Sequence, residues 1–297
     1  MEREPSHEPV LLSETVGLLD PSRGGLFVDC TVGLGGHSRA LLEAGASRLI
    51  GLDRDPLALR LAAESLAAWR DRLELVHADY RQLGALLDAR GERAADGLLA
   101  DLGVSSMQFD TEGRGFSFRR DEPLDMRMDQ TQGPTVADLL VSVDEQALAD
   151  VIFQFGEERF SRRIARGVVE ARRLAPVTTT GQLAQIVRRA VPRKGYQRID
   201  PATRTFQALR IWVNQELEGL DAFLIEAAQR LRSGARLAVI TFHSLEDRVV
   251  KHTFRALAAG ESALRVLTRR PMVPAEAEVR RNPRARSAKL RAIERLA

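Results

Sequence analysis

Cysteine is nearly missing from this 297-residue chain: Cys30 stands alone. One thiol excludes an internal disulfide and any zinc site built on several cysteines, and it fits a reducing compartment. Lysine is almost as scarce, at Lys194, Lys251 and Lys289, so nearly all of the 44 basic residues are arginine. Such a uniform preference points to a genomic bias, and arginine richness alone therefore says little about partners. No apolar run approaches the ~20 residues of a membrane-spanning helix. Met1-Glu2-Arg3-Glu4-Pro5 lacks the apolar stretch that follows the charges of a signal peptide. A cytoplasmic protein with no membrane partner is expected. Hydrophobic residues make up 44% of the chain, enough for the core of one large domain or two modest ones.

Net charge is only +3, yet it is unevenly placed. From Arg265 to Ala297 there are ten Lys/Arg against Glu276, Glu278 and Glu294, a local +7 that leaves −4 elsewhere. A local basic surface is the footprint expected of a polyphosphate partner.

The densest signal is Asp29-Cys30-Thr31-Val32-Gly33-Leu34-Gly35-Gly36-His37, between a strand-like Leu26-Phe27-Val28 and a helix-like Ser38–Leu42. Gly33, Gly35 and Gly36 permit a tight turn and close approach of backbone to a ligand. Cys30 reads as a small packing residue. Asp53 stands seventeen residues beyond Gly36, closing Leu49-Ile50-Gly51-Leu52. A carboxylate at the tip of a second strand is placed to accept the two hydroxyls of a ribose. The dinucleotide pattern G-x-G-x-x-G fails here, because its third glycine is Ser38. What remains suits S-adenosylmethionine, which has no pyrophosphate and carries positive charge that favours carboxylates. Asp29, Asp53, Asp79 and Asp101 each follow an apolar run, and four acids at successive strand ends would ring one cleft.

Residues from about 24 to 108 read as four strand–helix repeats, with helices at Ser38–Ala44, Pro56–Trp69 and Arg81–Arg90. From Asp110 to about Pro201 no strand is expected. Leu148, Val151, Ile152 and Phe155 follow helical spacing, as do Leu183, Ile186 and Val187 behind a capping box at Thr179–Gln182. Another helix is expected to end near Ser233-Gly234, and strand character resumes at Arg236–Ile240. The division predicted is residues 1–109, a first part of an α/β domain; 110–213, an inserted helical substrate-recognition domain; and 214–297, the second part with a basic C-terminal segment.

Three further stretches carry chemistry. Asp101-Leu102-Gly103-Val104-Ser105-Ser106-Met107-Gln108 supplies acceptors for an exocyclic amine, whose N–H bonds need orienting before the nitrogen attacks. Arg114–Phe118 and Pro123–Asp129 suggest an ordered loop covering a pocket, in which Phe116 and Phe118 either stack a base or belong to the core. Arg204 and Arg210, in Pro201–Ile211, either face phosphate or are solvated. In Thr241–Arg248, Ser244 and Asp247 suit an acidic capping box, and His243 either transfers a proton or is structural. No second His or Cys lies near His243 at metal spacing, so no metal is expected.

Together these stretches resemble the bacterial small-subunit (16S) ribosomal RNA cytosine-N4 methyltransferases, the MraW-like proteins. The similarity runs from His7-Glu8-Pro9-Val10-Leu11-Leu12 to Asn282–Arg291, through Gly35-Gly36-His37, Asp53-Arg54-Asp55, Asp101–Gln108, Arg114–Phe118, Pro201–Ile211 and Phe242–Arg248. Met107 departs from the family's usual Pro, and Asp200 from its frequent His. The resemblance implies an α/β, Rossmann-like S-adenosylmethionine-dependent methyltransferase sheet with an inserted all-helical domain. It implies methylation of the N4 amine of one cytidine in the decoding centre of 16S rRNA, cytidine 1402, within the small ribosomal subunit. Carried over by position, Gly35, Gly36, His37, Asp53, Tyr80, Asp101 and Gln108 would contact the cofactor beside Gly33, with the Tyr80 ring against adenine. Asp101 is the first candidate for orienting the amine, with Ser105 and His243 behind it. Direct in-line transfer is expected, since no cysteine follows the fourth strand. A methyltransferase for a protein or small molecule, or a non-catalytic RNA-binding assembly factor, stays open at this point. So does oligomeric state, a homodimer included.

Overall fold

The computed structural model describes residues 9–192, 200–260 and 262–296. Met1–Pro5, His7, Glu8, Lys194 and Ala297 lie outside the described residues. In chain order come α1 (Leu12–Leu19), β1 (Leu26–Asp29), α2 (Gly36–Glu43), β2 (Arg48–Asp53), α3 (Pro56–Ser65), β3 (Leu73–His77), α4 (Leu83–Ala89) and β4 (Ala95–Asp101). Six helices follow: α5 (Ser106–Asp110), α6 (Val136–Ser142), α7 (Glu145–Gly156), α8 (Ser161–Leu174), α9 (Thr180–Ala190) and α10 (Ala202–Asn214). The chain closes with α11 (Leu220–Gln229), β5 (Leu231–Thr241), α12 (Ser244–Gly260), β6 (Leu264–Val266), α13 (Glu276–Arg281) and β7 (Lys289–Arg295). Two compact units result, Met1–Gly103 with Leu217–Ala297, and Val104–Glu216. The chain thus divides at 103/104 and 216/217, whereas the sequence pattern suggested 109/110 and 213/214.

The first unit is built on a seven-stranded sheet in the order β3-β2-β1-β4-β5-β7-β6. Strands β1 to β5 are parallel, and β7 runs antiparallel to β5 and β6. The central stretches Leu26–Val28, Leu49–Leu52, Leu98–Ala100 and Leu237–Ile240 are apolar because both faces of the sheet are covered there. Leu26 and Val28 enter one hydrophobic cluster with Ile50, Leu98 and Phe254, while Phe27 enters another with Leu49, Leu99 and Ile240. Alternate side chains point to opposite faces, as a strand requires. The chain runs outward from β1 to β3 and then returns to β4 on the other side of β1, so β1 and β4 bound a switch point. Ligands bind at the carboxyl edge of such a crevice.

Two expectations needed revision. Ser233 and Gly234 do not end a helix; α11 ends at Gln229 and both residues lie inside β5. Gly234, at φ +77, sits where the β4–β5 register shifts, so its positive φ serves a strand irregularity rather than a helix cap. The basic C-terminal segment is also not simply a charged tail. In Lys289-Leu290-Arg291-Ala292-Ile293-Glu294-Arg295 the charges hide a strand whose five middle residues are all buried.

The helical unit has its own core. Leu148, Ile152, Leu183 and Val187 are fully buried in it, with Ile164 and Leu209. The capping box at Thr179 and Gln182 forms as the spacing suggests. Among the described residues of this unit, no named strand occurs; an isolated bridge joins Pro123 to Thr179. The non-periodic stretch after Arg114 is ordered because it supplies core. Phe116, Leu124, Met126 and Met128 are buried, and Arg114 Nη2 donates to the carbonyls of Arg127 and Met128. Phe116 lies edge-on to Phe109, and Phe118 edge-on to Phe206. Both rings are packing residues.

Candidate active site

At the end of β1 the glycine loop is held from three directions. Gly35 N–H closes a turn on the Val32 carbonyl at 2.8 Å, and Val32 N–H reaches the Leu52 carbonyl. Gly33, at φ +55, donates its N–H to Asp53 Oδ2 at 2.8 Å. The second Asp53 oxygen accepts from Asp55 N–H at 2.8 Å. A Cβ on Gly36 would fall against the Pro9 ring, so this glycine is small for packing. Gly35 precedes α2 without offering a side-chain cap, which leaves first-turn N–H groups to be satisfied by solvent or ligand.

The four strand-end acids have different fates. Asp29 is fully buried; Oδ2 accepts the Ser38 hydroxyl at 2.7 Å and Oδ1 the Thr31 N–H at 3.1 Å. Its carboxylate therefore ties the loop to the first turn of α2. Asp79 is clasped by the Arg81 guanidinium through two hydrogen bonds of 2.7 and 2.8 Å. Burial pushes its pKa up, but the hydrogen bonds from Arg81 outweigh that and hold it below the ordinary range. Asp53 and Asp101 remain. Asp101 donates its backbone N–H to Thr31 Oγ1 at 2.6 Å, and its carboxylate Oδ2 lies 3.6 Å from His37 Nε2. Asp101 Oδ1 is buried with no hydrogen-bond partner among the described residues.

Electrostatics set this cluster apart. Burial raises both Asp29 and Asp53 from 3.8 to about 6, only partly offset by their hydrogen bonds. Asp101 is pushed well above 3.8 by burial and then by the charges of Asp29 and Glu246. Carboxyls titrate this high when they are taken out of water without a matching cation, and neighbouring acids add to the effect; such groups mark functional sites. The arrangement favours a ligand that brings positive charge and hydroxyl donors.

The comparisons with known proteins agree. Residues 4–296 match the family model described as the MraW methylase family. The chain belongs to that family. Among curated relatives, Ribosomal RNA small subunit methyltransferase H of Nitrobacter winogradskyi is 49% identical over 302 residues, covering 97% of this chain and 90% of the relative. The protein of the same name from Synechococcus elongatus is 50% identical over 292 residues, covering 98% and 95%.

Within this family member, the sheet unit brings Gly33, Gly35, Gly36, His37, Asp53 and Asp101 to the ends of β1, β2 and β4. Tyr80 follows β3 and packs against Phe223 with ring centroids 4.6 Å apart; burial pushes its phenol pKa up. Ser105 and Gln108 belong to the helical unit, where they form a capping box on α5: Ser105 Oγ accepts Gln108 N–H, and Gln108 Oε1 accepts Ser105 N–H. His243 faces the start of α12 with both nitrogens. Nδ1 accepts Glu246 N–H at 3.4 Å, and Nε2 lies 3.1 Å from Glu246 Oε1.

The expected box around Ser244 and Asp247 is rearranged. Glu246 Oε2 accepts the N–H groups of Phe242 and His243, while Asp247 turns to Arg291 and Lys289. Glu246, at 1% exposure, and Thr31 are the site residues that sequence reasoning missed. Only the i, i+3 spacing of His243 and Glu246 hinted at the first; nothing hinted at the second. Arg210 is paired with Glu216 by bonds of 2.7 and 2.8 Å within the helical unit. Arg204 stays exposed, 3.9 Å from Glu158.

Proposed function

We propose that the protein transfers a methyl group from S-adenosylmethionine to the N4 amine of a cytidine in small-subunit rRNA, by resemblance cytidine 1402 of the 16S decoding centre. The observation that carries this reading is the group of buried acids with raised pKa beside the glycine loop, with Asp101 Oδ1 lacking a hydrogen-bond partner among the described residues. The residues fit S-adenosylmethionine. Each Asp53 oxygen accepts one backbone N–H and has a lone pair left for a ribose hydroxyl. The negative cluster matches a sulfonium and an ammonium, and the uncapped first turn of α2 matches a carboxylate. Gly33, Gly35, Gly36, His37 and Tyr80 would form the rest of the pocket in the sheet unit; the resemblance also assigns a cofactor-binding role to Gln108. Bound there, the cofactor supplies an electrophilic methyl group.

The protein's own part is orientation and charge. A cation beside Asp101 favours its ionised form, and that form accepts an N–H of an exocyclic amine. Accepting it fixes the amine's direction and returns lone-pair density to its nitrogen. Holding nucleophile and methyl carbon at ~3–3.5 Å removes several kcal/mol of barrier without a covalent intermediate. Ser105 keeps a hydroxyl hydrogen to donate after its oxygen has accepted from Gln108. The helical unit is assigned to substrate recognition, and a cytoplasmic location suits a ribosomal substrate.

The test incubates the protein with methyl-labelled S-adenosylmethionine and small subunits lacking the modification, then maps the label by nuclease digestion and mass spectrometry. Label on the N4 of one cytidine supports the reading. Label on protein, or none despite cofactor binding, refutes it.

A further inference from the structure

The basic C-terminal region separates, once folded, into paired and unpaired cations. Arg265 pairs with Glu294, and both Lys289 and Arg291 pair with Asp247. Arg269 has no side-chain hydrogen bond or ion pair among the described residues, and neither have Lys251 and Arg255 of α12. These three line a cavity of about 440 Å³ between α12 and β6, whose apolar lining includes Phe254 and Val266. Lys251, Phe254 and Arg255 follow i, i+3, i+4 spacing, so one helix face presents all three. Arg291 forms part of the wall; at 6% exposure it is held there by the 2.7 Å bond from its Nε to Asp247. Among the described residues, no acidic one lines the cavity.

Three unpaired cations around one concavity repel one another, and a bound anion relieves that repulsion. The apolar lining adds a preference for an anion with a flat, weakly polar part. A nucleotide has both, a phosphate and a base. The cavity begins about two turns along α12 from Ser244, away from the carboxyl ends of β1 and β4. We propose that this cavity is a second RNA subsite, one that docks the phosphate and base of a single nucleotide remote from the one modified. Lys251, Arg255 and Arg269 hold the phosphate, and the apolar wall receives the base. The inference rests on the rRNA reading above. Its consequence is that part of the affinity for RNA resides in the sheet unit away from the methyl-transfer site, so that substrate binding can be weakened without touching that site.

The test uses the full chain carrying Lys251→Glu, Arg255→Glu and Arg269→Glu together, beside a neutral version with Lys251→Gln, Arg255→Gln and Arg269→Gln. Binding to fluorescein-labelled small-subunit rRNA is followed by anisotropy between about 50 and 200 mM salt, and methyl transfer is measured on small subunits. Charge reversal should weaken rRNA binding at least ~10-fold and reduce the slope of log affinity against log salt by about 2. KM for subunits should rise while kcat and the Kd for S-adenosylhomocysteine stay within about twofold. The neutral variant should show the same changes at smaller size, with an unaltered thermal midpoint. Unchanged affinity and salt slope in the reversed variant overturn the inference while leaving methylation by the unaltered protein intact. Weakened binding to whole subunits with unchanged binding to naked rRNA also overturns it, because the cavity would then serve an acidic protein segment. If the unaltered protein neither binds nor labels rRNA, the function proposed above fails too.

Discussion

Asp53→Asn tests the reading of the cofactor pocket most directly. In the free protein, burial raises Asp53 from 3.8 to about 6. That rise corresponds to about 3 kcal/mol by which the fold disfavours the ionised group. The sign follows from proton binding. The folded state keeps its proton longer than the unfolded state, so this penalty is absent below pH 4, grows between pH 4 and 6, and is complete above. Substitution by Asn removes it. The same change leaves the N–H of either Gly33 or Asp55 facing an amide NH₂, at a cost of about 1–3 kcal/mol. The two effects nearly cancel, so the unfolding midpoint at pH 8 should move by only a few degrees.

Cofactor affinity should behave differently. Ribose hydroxyls donate to the ionised form, and a hydrogen bond to a charged acceptor contributes about 1.5–3 kcal/mol. Its loss corresponds to roughly 10- to 150-fold in Kd. The unaltered protein should therefore bind S-adenosylhomocysteine about tenfold more weakly at pH 5 than at pH 7, as Asp53 takes up its proton through pH 6. In Asp53→Asn that decline should flatten. Calorimetric titrations at pH 5, 6, 7 and 8 measure both. A variant Kd within twofold of the unaltered protein at pH 8, or an unchanged pH profile, would refute the placement of ribose on Asp53.

Asp101→Ala should lower single-turnover methyl transfer at saturating cofactor by at least ~10²-fold; normal turnover would remove Asp101 from amine orientation. Gly36→Ala drives a methyl against Pro9 and should destabilise by about 1–3 kcal/mol in urea unfolding, with no loss indicating that Pro9 moves aside freely. Asp247→Ala leaves Arg291, whose side chain is 7% exposed, without its partner; about 3–5 kcal/mol should be lost in the same assay. Phe116→Ala should cost about 3–5 kcal/mol of stability while rRNA affinity stays within about threefold, the reverse pattern being expected if the ring stacked a base.

The strand-and-turn skeleton up to Gly103 was legible because buried parallel strands must be apolar on both faces, and Asp or Gly must then break the run. Leu26–Asp29 and Arg48–Asp53 stand out for that reason. β7 was not legible. Arg291 and Glu294 sit in it at 6% and 7% exposure, and a charge reads as solvent-facing until its partner is known. The buried pairing of Arg291 with Asp247 spans 44 residues, beyond any local pattern. The start of α12 was read with the wrong acid for the same reason: Asp247 was already engaged by β7, leaving Glu246 to accept from the backbone.

What the sequence determined by itself was the chemistry available: a glycine turn, acids at strand ends, and helical periodicity from Leu148 to Val187. Those features follow from near-neighbour sterics and from the alternation of apolar residues. Which acids keep acceptor atoms free of protein donors was decided only in three dimensions. Asp29 turns to Ser38 and Asp79 to Arg81, while Thr31, seventy residues away in the chain, takes the Asp101 N–H and leaves its carboxylate available. A carboxylate's role depends on which donors reach it first, and those donors arrive from strands that are distant in sequence and adjacent only in the folded sheet.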